Sequence, residues 1–210
     1  MTPHDERVSF QARLGVSRET MARLDQLEQL LRKWNPAINL VAQSSIAALW
    51  QRHFMDSAQV FDLASPTKGI WADLGSGGGF PGLVIAILAR EWAPELQIIL
   101  VEADRRKAAF LATVVRDCAL PARIIAERIE ETPPLGAQFL SARALAPLSK
   151  LLDYAERHLQ QDGVAMFSKG SNWRDEVSAA RKFWRFEVTA HPSMTDENAA
   201  ILEIRGIARA

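Results

Sequence analysis

Hydrophobic residues along this chain follow two patterns, one before and one after residue 64. In the first part they recur at helical spacing, which is typical of helices with one buried face. The clearest run covers 21–34, and we expect Pro36 to end that helix. A second helix is expected from Ser45, with a buried face made of Ile46, Leu49, Trp50 and Phe54. We therefore assign residues 1–64 to an N-terminal helical extension.

After residue 64, short apolar runs alternate with helical patterns. We predict strands near 70–74, 97–101, 122–126, 139–142, 164–168, 186–191 and 200–207. Helices are predicted at about 82–91, 105–117, 147–159 and 173–184. This alternation is typical of a parallel, doubly wound sheet with helices on both faces. Residues 192–198 are too few for a crossover helix, so the last two strands should pair antiparallel. We assign residues 65–210 to one α/β domain that forms a single structural unit with the extension.

A glycine-rich segment follows the first predicted strand. Its sequence holds one acid and then three glycines at alternate positions, Asp73, Gly75, Gly77 and Gly79. Glycines lack a Cβ atom, so this loop allows a ligand to approach the backbone closely. The stretch that ends at Gly82 also matches the dinucleotide pattern G-x-G-x-x-G, but a carboxylate at Asp73 would repel a pyrophosphate. It suits a ligand with an ammonium and a sulfonium group, and S-adenosylmethionine is such a ligand.

A second acid, Glu102, closes the predicted strand 97–101. An acid at this place in a doubly wound unit accepts hydrogen bonds from the ribose hydroxyls of a bound nucleoside. Glu102 could instead cap the next helix, but Asp104 is better placed for that role. We predict that Glu102 binds ribose.

Composition narrows the classes of function. Lys and Arg number 25, Asp and Glu also 25, so no overall charge draws the protein to nucleic acid or membrane. Local basic patches, and thus specific RNA binding, remain compatible with this balance. The single cysteine, Cys118, excludes an internal disulfide and fits a reducing compartment. No signal peptide or membrane-spanning run is visible, so we expect a cytoplasmic protein. The histidines are scattered, so we expect no metal site.

Seven segments, taken in order, resemble one known family. They are Lys33-Trp34-Asn35, Arg52-His53-Phe54-Met55-Asp56-Ser57, the loop that ends in Phe80-Pro81-Gly82, Arg106-Lys107, Arg128-Ile129-Glu130-Glu131, Ser141-Ala142-Arg143-Ala144 and Lys169-Gly170. From about Leu31 to Gly170 the chain resembles the bacterial ribosomal RNA small subunit methyltransferase G family, also called glucose-inhibited division protein B. The combination is specific, although the glycine loop alone is not.

The resemblance implies a class I S-adenosylmethionine-dependent methyltransferase, with a Rossmann-like, mostly parallel seven-stranded sheet. It implies methylation of N7 of one guanine in 16S ribosomal RNA. Its partner would be that RNA, the small ribosomal subunit or a precursor, and we expect a monomer. Glu102 stands where the family usually has an aspartate. The further cofactor contacts that the resemblance implies are Gly75 and Phe80 in the loop, Ile129 and Glu130 beside the adenine, and Arg143 at the end of the fourth strand.

Guanine N7 carries a free lone pair at neutral pH, so its methylation needs no base to remove a proton. We therefore expect a mechanism of positioning, with no catalytic base. The residues predicted to contact substrate are Arg52, His53, Arg143 and Lys169. Three of them have a structural alternative: a helix surface for Arg52, a core histidine for His53, and an ion pair with Asp73 or Glu130 for Arg143. Cys118 could be a nucleophile, but its apolar surroundings favour buried packing.

Three other functions remain compatible with the residues. A methyltransferase of the same fold could act on another RNA base or on a small molecule. A nicotinamide-dependent oxidoreductase would share the fold, although Asp73 argues against it and no Tyr-Lys pair suits hydride transfer. A noncatalytic RNA-binding protein would not need the glycine loop with its acid partner.

Overall fold

The N-terminal part of the chain is helical. In the computed structural model, which describes residues 3–210, the helical elements of this part are α1 (Pro3–Leu14), α2 (Arg18–Ile38), a 3-10 turn (Gln43–Ala48), a π-helical turn (Trp50–Met55) and α3 (Asp56–Ala64). The predicted buried face of the second helix is confirmed, since its four apolar side chains are all buried. This segment is not the continuous α-helix that was expected, because a 3-10 turn and a π-helical turn precede α3.

The prediction that Pro36 ends the helix is wrong, because α2 continues to Ile38. A proline lacks a backbone N–H and removes only its own hydrogen bond from the last turn. Helical bonding continues beyond the proline, since Asn39 donates its backbone N–H to the Asn35 carbonyl at 3.0 Å. Asn39 ends the helix in the left-handed conformation, with φ of 48°.

Strands and helices alternate in the rest of the chain, as predicted. The elements are β1 (Lys68–Leu74), α4 (Gly82–Trp92), β2 (Glu95–Val101), α5 (Arg105–Asp117), β3 (Ala122–Ile125), β4 (Ala137–Arg143), α6 (Leu148–His158), β5 (Leu159–Lys169), α7 (Trp173–Ala180), β6 (Trp184–Pro192) and β7 (Ala200–Arg209). The clearest difference is α7, predicted to reach residue 184, where instead β6 begins with the buried Trp184.

The seven strands form one mixed sheet in the order β3-β2-β1-β4-β5-β7-β6. The pairs among β1 to β5 are parallel, and β7 is antiparallel to both of its neighbours. The predicted antiparallel pairing of the last two strands is therefore confirmed, and β7 lies inside the sheet while β6 forms its edge. Strand order reverses at β1, which lies between β2 and β4, so a crevice is expected outside the carboxyl ends of β1 and β4.

Apolar side chains cover both faces of the sheet, as parallel strands require. Neighbouring residues of β1 point to opposite sides: Trp71 packs with the α2, α3, α4 and α5 side chains, and Ala72 with those of α6 and α7. The extension contributes Phe10, Leu24 and Phe54 to the first of these cores. It is thus held by the same core that positions the glycine loop. Among the described residues, no helix combines the length and apolarity needed to cross a membrane.

Candidate functional site

The glycine loop lies at the carboxyl end of β1, and Asp73 anchors it. The Asp73 side chain is fully buried. One carboxylate oxygen accepts from the Ser141 hydroxyl at 2.7 Å and the other from the Gly82 backbone N–H at 3.3 Å. Burial raises the pKa of Asp73 to about 6, against the lowering effect of these hydrogen bonds. Asp73 thus joins β1, β4 and the start of α4 at the floor of the crevice.

The glycines of the loop serve different purposes. Gly75, Gly77 and Gly79 all have positive φ, at 63°, 53° and 88°. A Cβ atom on Gly75 would lie 2.5 Å from the Leu145 side chain, and one on Gly79 would collide with Leu83. A Cβ atom on Gly77 would meet nothing nearer than the Gly75 carbonyl oxygen, at 3.7 Å. Gly77 therefore leaves open space above the loop, while the other two allow close packing.

Glu102 reaches from the end of β2 into this loop. Its carboxylate accepts from the Gly77 backbone N–H at 2.8 Å and from the Asp104 backbone N–H at 2.7 Å. Asp104 caps α5 as predicted, since its side chain accepts from two backbone N–H groups of the first turn. The structure therefore brings Glu102 and the glycine loop together, as expected of two parts of one cofactor site. The ribose role of Glu102 stays a prediction.

The segment after β3 carries Ile129 and Glu130. Ile129 is buried, whereas the Glu130 carboxylate is exposed and accepts from the Tyr154 hydroxyl at 2.6 Å. Desolvation and this acid raise the pKa of Tyr154 to about 12. Their contact with adenine stays a prediction, and the structure adds that both residues are tied to α6.

Arg143, at the end of β4, lies partly buried between the sheet and the extension. Its guanidinium donates to His53 Nδ1 at 2.6 Å and to the Asp56 carboxylate at 3.3 Å. It also lies over the ring of Phe80, 5.1 Å from the centroid. The acid partner is therefore Asp56, not Asp73 or Glu130. Asp56 was missed as a site residue, although an acid at the start of a helix with buried neighbours was a usable signal.

His53 is held on both sides by the extension and the sheet. Since Nδ1 accepts from Arg143, the ring proton lies on Nε2, which donates to the Ser45 hydroxyl at 2.9 Å. Burial, with the nearby charges of Arg143 and Arg52, lowers the pKa of His53 to about 3. The imidazole is neutral at pH 7, and its ring packs against Phe80 at 4.8 Å between centroids. These contacts tether the extension to the glycine loop, and contact with substrate stays a prediction.

A cleft of about 630 Å³ opens beside Arg143, between the extension, the ends of β4 and β5, and the segment before β7. Lys169 lines it, but its ammonium pairs with the Glu176 carboxylate at 2.6 Å and donates to the Ala146 carbonyl. Arg52 lines it with an exposed side chain. The cleft thus brings together all four predicted substrate residues, Arg52, His53, Arg143 and Lys169.

Sequence reasoning missed the segment 193–199 as one wall of the cleft. Ser193 and Thr195 lie 3.5 and 3.4 Å from the Asp56 carboxylate, and Gln59 of α3 hydrogen-bonds to backbone on both sides of Ser193. Only the polar character of this segment was visible in the sequence, because its contacts are with residues more than 130 positions away.

The predicted structural role of Cys118 is confirmed. Its side chain is buried in the core, and this desolvation raises the pKa of its thiol to about 11. Trp50 and Trp71 are also buried. Within residues 3–210, no group of three His, Cys, Asp or Glu side chains is arranged to hold a metal ion.

The sheet order and the glycine loop at its switch point define the α/β methyltransferase fold. TYW2 of M. jannaschii in complex with AdoMet matches with a TM-score of 0.52 and 10% identity, over 74% of this chain and 75% of that chain. TYW2 of P. horikoshii in complex with MeSAdo matches with a TM-score of 0.55 and 10% identity, over 75% and 62%. At such low identity these structures show the fold alone.

Within this class, the chain belongs to the rRNA small subunit methyltransferase G family, whose family model matches residues 20–204. It is 52% identical over 196 residues to Ribosomal RNA small subunit methyltransferase G of Ruegeria sp. (strain TM1040), covering 93% of this chain and 95% of the relative. It is 49% identical over 206 residues to the protein of that name from Rhodospirillum centenum, covering 98% and 93%. The family resemblance is confirmed.

Proposed function

We propose that this chain transfers the methyl group of S-adenosylmethionine to N7 of a guanine in 16S ribosomal RNA. The observation that carries this proposal is the junction at the carboxyl ends of β1, β2 and β4. There the glycine loop and Glu102 lie on one side, and Arg143 at the wall of the cleft lies on the other. Membership of the family supports the reaction and the RNA substrate. Such a substrate also supports the expected cytoplasmic location.

The residues present fit this cofactor. Open space lies above Gly77, where any side chain would fill the crevice. Glu102 points at the same loop and carries a carboxylate suited to ribose hydroxyl donors. When bound, S-adenosylmethionine supplies a methyl group activated by a positively charged sulfur. The buried carboxylate of Asp73 gives this edge of the sheet a negative charge that suits such a cation.

The side chains at the cleft are arranged to position a base and not to remove a proton. Both ring nitrogens of His53 are engaged, and its lowered pKa keeps it neutral. Lys169 is paired with Glu176. Guanine N7 requires no deprotonation, so holding nucleophile and methyl group in line is the main task, which contributes up to about 7–11 kcal/mol in favourable cases.

The charges around the cleft suit a transfer in which positive charge moves from the methyl donor to the base. Arg143 pairs with Asp56, and Lys169 pairs with Glu176, so neither cation is free to repel a base that becomes positive. Arg52 has an exposed side chain at the cleft and is the residue we assign to phosphate of the RNA. Its contacts would orient the RNA backbone without specifying the base.

The test combines binding with product analysis. Purified protein is incubated with S-adenosylmethionine and with naked 16S RNA, small subunits or precursor particles, and modified nucleosides are identified by mass spectrometry. We expect 7-methylguanosine in at least one of the three. Methylation of another base, or of a small molecule in place of RNA, would support the alternative methyltransferase. Binding of NAD but not S-adenosylhomocysteine in calorimetry would indicate an oxidoreductase.

A second measurement tests the cofactor residues directly. Glu102→Ala should weaken binding of S-adenosylhomocysteine by about ten- to a hundredfold, because a charge-assisted hydrogen-bond pair is lost. Asp104→Ala is the matched control, since it removes a neighbouring acid whose contacts cap α5. Equal affinity in wild type and Glu102→Ala would remove Glu102 from the site.

A further inference from the structure

Three side chains of α6 hold the segment 129–132, which follows β3. The Tyr154 hydroxyl donates to the Glu130 carboxylate at 2.6 Å. The Arg157 guanidinium donates twice to the Thr132 carbonyl, at 3.0 and 3.2 Å. His158 Nε2 donates to the Ile129 carbonyl at 3.1 Å. The positions of these side chains, i, i+3 and i+4, place them on one face of the helix.

The same helix is connected to the glycine loop at its other end. The short connection between β4 and α6 carries Leu145, which packs so closely on Gly75 that a Cβ atom there would lie at 2.5 Å. Ala146, in the same connection, accepts from Lys169. Helix α6 therefore links the loop on one side of the crevice to the segment 129–132.

His158 is costly for the stability of the fold. It is fully buried, and its Nδ1 atom has no hydrogen-bond partner among the described residues. Burial lowers the pKa of this imidazole, so it stays neutral and Nδ1 remains an unsatisfied acceptor. A leucine of similar size would avoid that cost. What histidine adds is the Nε2–H that holds the Ile129 carbonyl, so packing alone does not explain the residue.

We propose that Tyr154, Arg157 and His158, which we call the α6 clamp, are positioning residues for the methyl donor. They hold Ile129 and Glu130 in the arrangement that receives the adenine end, and they touch neither the reacting atoms nor the RNA. This inference rests on the proposed function and on the cofactor contact that the family resemblance implies for Ile129 and Glu130. It adds that affinity for the donor is set by a helix outside that site.

The test uses two substitutions of His158 in the full-length protein. His158→Leu removes the donor to Ile129 together with the unsatisfied Nδ1 atom. We expect the KM for S-adenosylmethionine and the Kd for S-adenosylhomocysteine to rise about five- to tenfold, the size of one lost hydrogen bond. The KM for RNA should be unchanged, and the melting temperature should not fall. His158→Gln retains an amide N–H near the position of Nε2 and should recover most of the affinity.

Tyr154→Phe provides a second arm, because it removes only the hydroxyl that holds Glu130. A rise of a few-fold in the same Kd is expected. The matched control is Glu156→Gln, on the same helix, where the carboxylate pairs with Arg209 and not with segment 129–132. This control should bind like wild type.

The outcomes separate the two proposals. If wild-type protein binds no S-adenosylhomocysteine, the proposed function fails. If wild type binds it and His158→Leu binds equally well, the α6 clamp is refuted and the proposed function stands. A lower melting temperature in His158→Leu, with both KM values changed together, would show a purely structural role and also overturn the clamp.

Discussion

Two charged side chains at the carboxyl edge of the sheet, the buried Asp73 and the partly buried Arg143, have different kinds of partner. Asp73, at the end of β1, is surrounded by neutral donors, the Ser141 hydroxyl and the Gly82 backbone N–H. Arg143, at the end of β4, has an acid partner in Asp56 and a neutral acceptor in His53. On one side of the crevice, therefore, an acid has only neutral hydrogen-bond donors. On the other side, an arginine forms an ion pair with a carboxylate.

The difference explains how one crevice can serve two ligands. Neutral donors offset only part of the desolvation of Asp73, so its pKa is raised to about 6, and a cation nearby would stabilise its charged form. On the Arg143 side, Arg143 and Lys169 are each paired with a carboxylate. Under the proposed function, the cationic methyl donor would lie toward the first side and the uncharged base toward the second.

The largest effect should come from filling the open space on the Asp73 side. Gly77→Val forces a β-branched residue into a backbone with φ of 53° and projects its side chain into the crevice. We expect binding of S-adenosylhomocysteine to weaken by at least about a hundredfold, measured by calorimetry. Gly206→Val is the control, because Gly206 also has positive φ and open space but lies in β7. Equal loss in both variants would indicate general unfolding.

On the Arg143 side, removing the acid should break the compensation. Asp56→Asn leaves a partly buried guanidinium without a charged partner, which costs at most about 3–5 kcal/mol of the free energy of unfolding, the value for a fully buried pair. The double variant Asp56→Asn with Arg143→Met removes both charges and should recover part of that loss, while methylation stays low. Denaturant unfolding of wild type and variants measures the coupling. Additive losses would mean that the two residues act separately.

The two sides also differ in how far sequence could predict them. The glycine loop, Asp73 and Glu102 were predicted because strand, acid, glycines and helix follow one another within a short stretch. The partners of Arg143 could not be read in this way, since Asp56 lies 87 residues and His53 90 residues before it. Their meeting depends on how the extension packs on the sheet. The wall formed by 193–199 was missed for the same reason, whereas the parallel part of the sheet was predicted from the alternation of strands and helices alone.

The free energy of unfolding should depend on pH through Asp73, whose carboxylate has only neutral hydrogen-bond donors. The folded-state pKa of Asp73 is raised from 3.8 to about 6, so between these values only the folded state holds the proton. The stabilisation is present below pH 3.8 and is lost as pH rises through 6. Relative to Asp73→Asn, wild type should lose about 3 kcal/mol of the free energy of unfolding between pH 3.5 and 7. If the difference in free energy of unfolding between wild type and Asp73→Asn stays constant across that range, the pKa of Asp73 is not raised in the folded protein.

The smallest effect, and the one with opposite sign, should come from His53 on the paired side. Its pKa is lowered from 6.5 to about 3, so between these values only the unfolded state is protonated. The stabilisation is present above pH 6.5 and is lost as pH falls toward 3. The free energy of unfolding should fall by about 2 kcal/mol more in wild type than in His53→Gln between pH 7 and 5. Gln cannot be protonated, so this variant lacks the titration.

Unfolding in urea at several pH values measures how the free energy of unfolding changes with pH for Asp73 and for His53. The contrast between the two sides of the crevice holds only if the Asp73 and His53 differences run in opposite directions. If His53→Gln shows the same pH dependence as wild type, folding does not lower the pKa of His53, and the ring is then not kept neutral at low pH as an acceptor for Arg143.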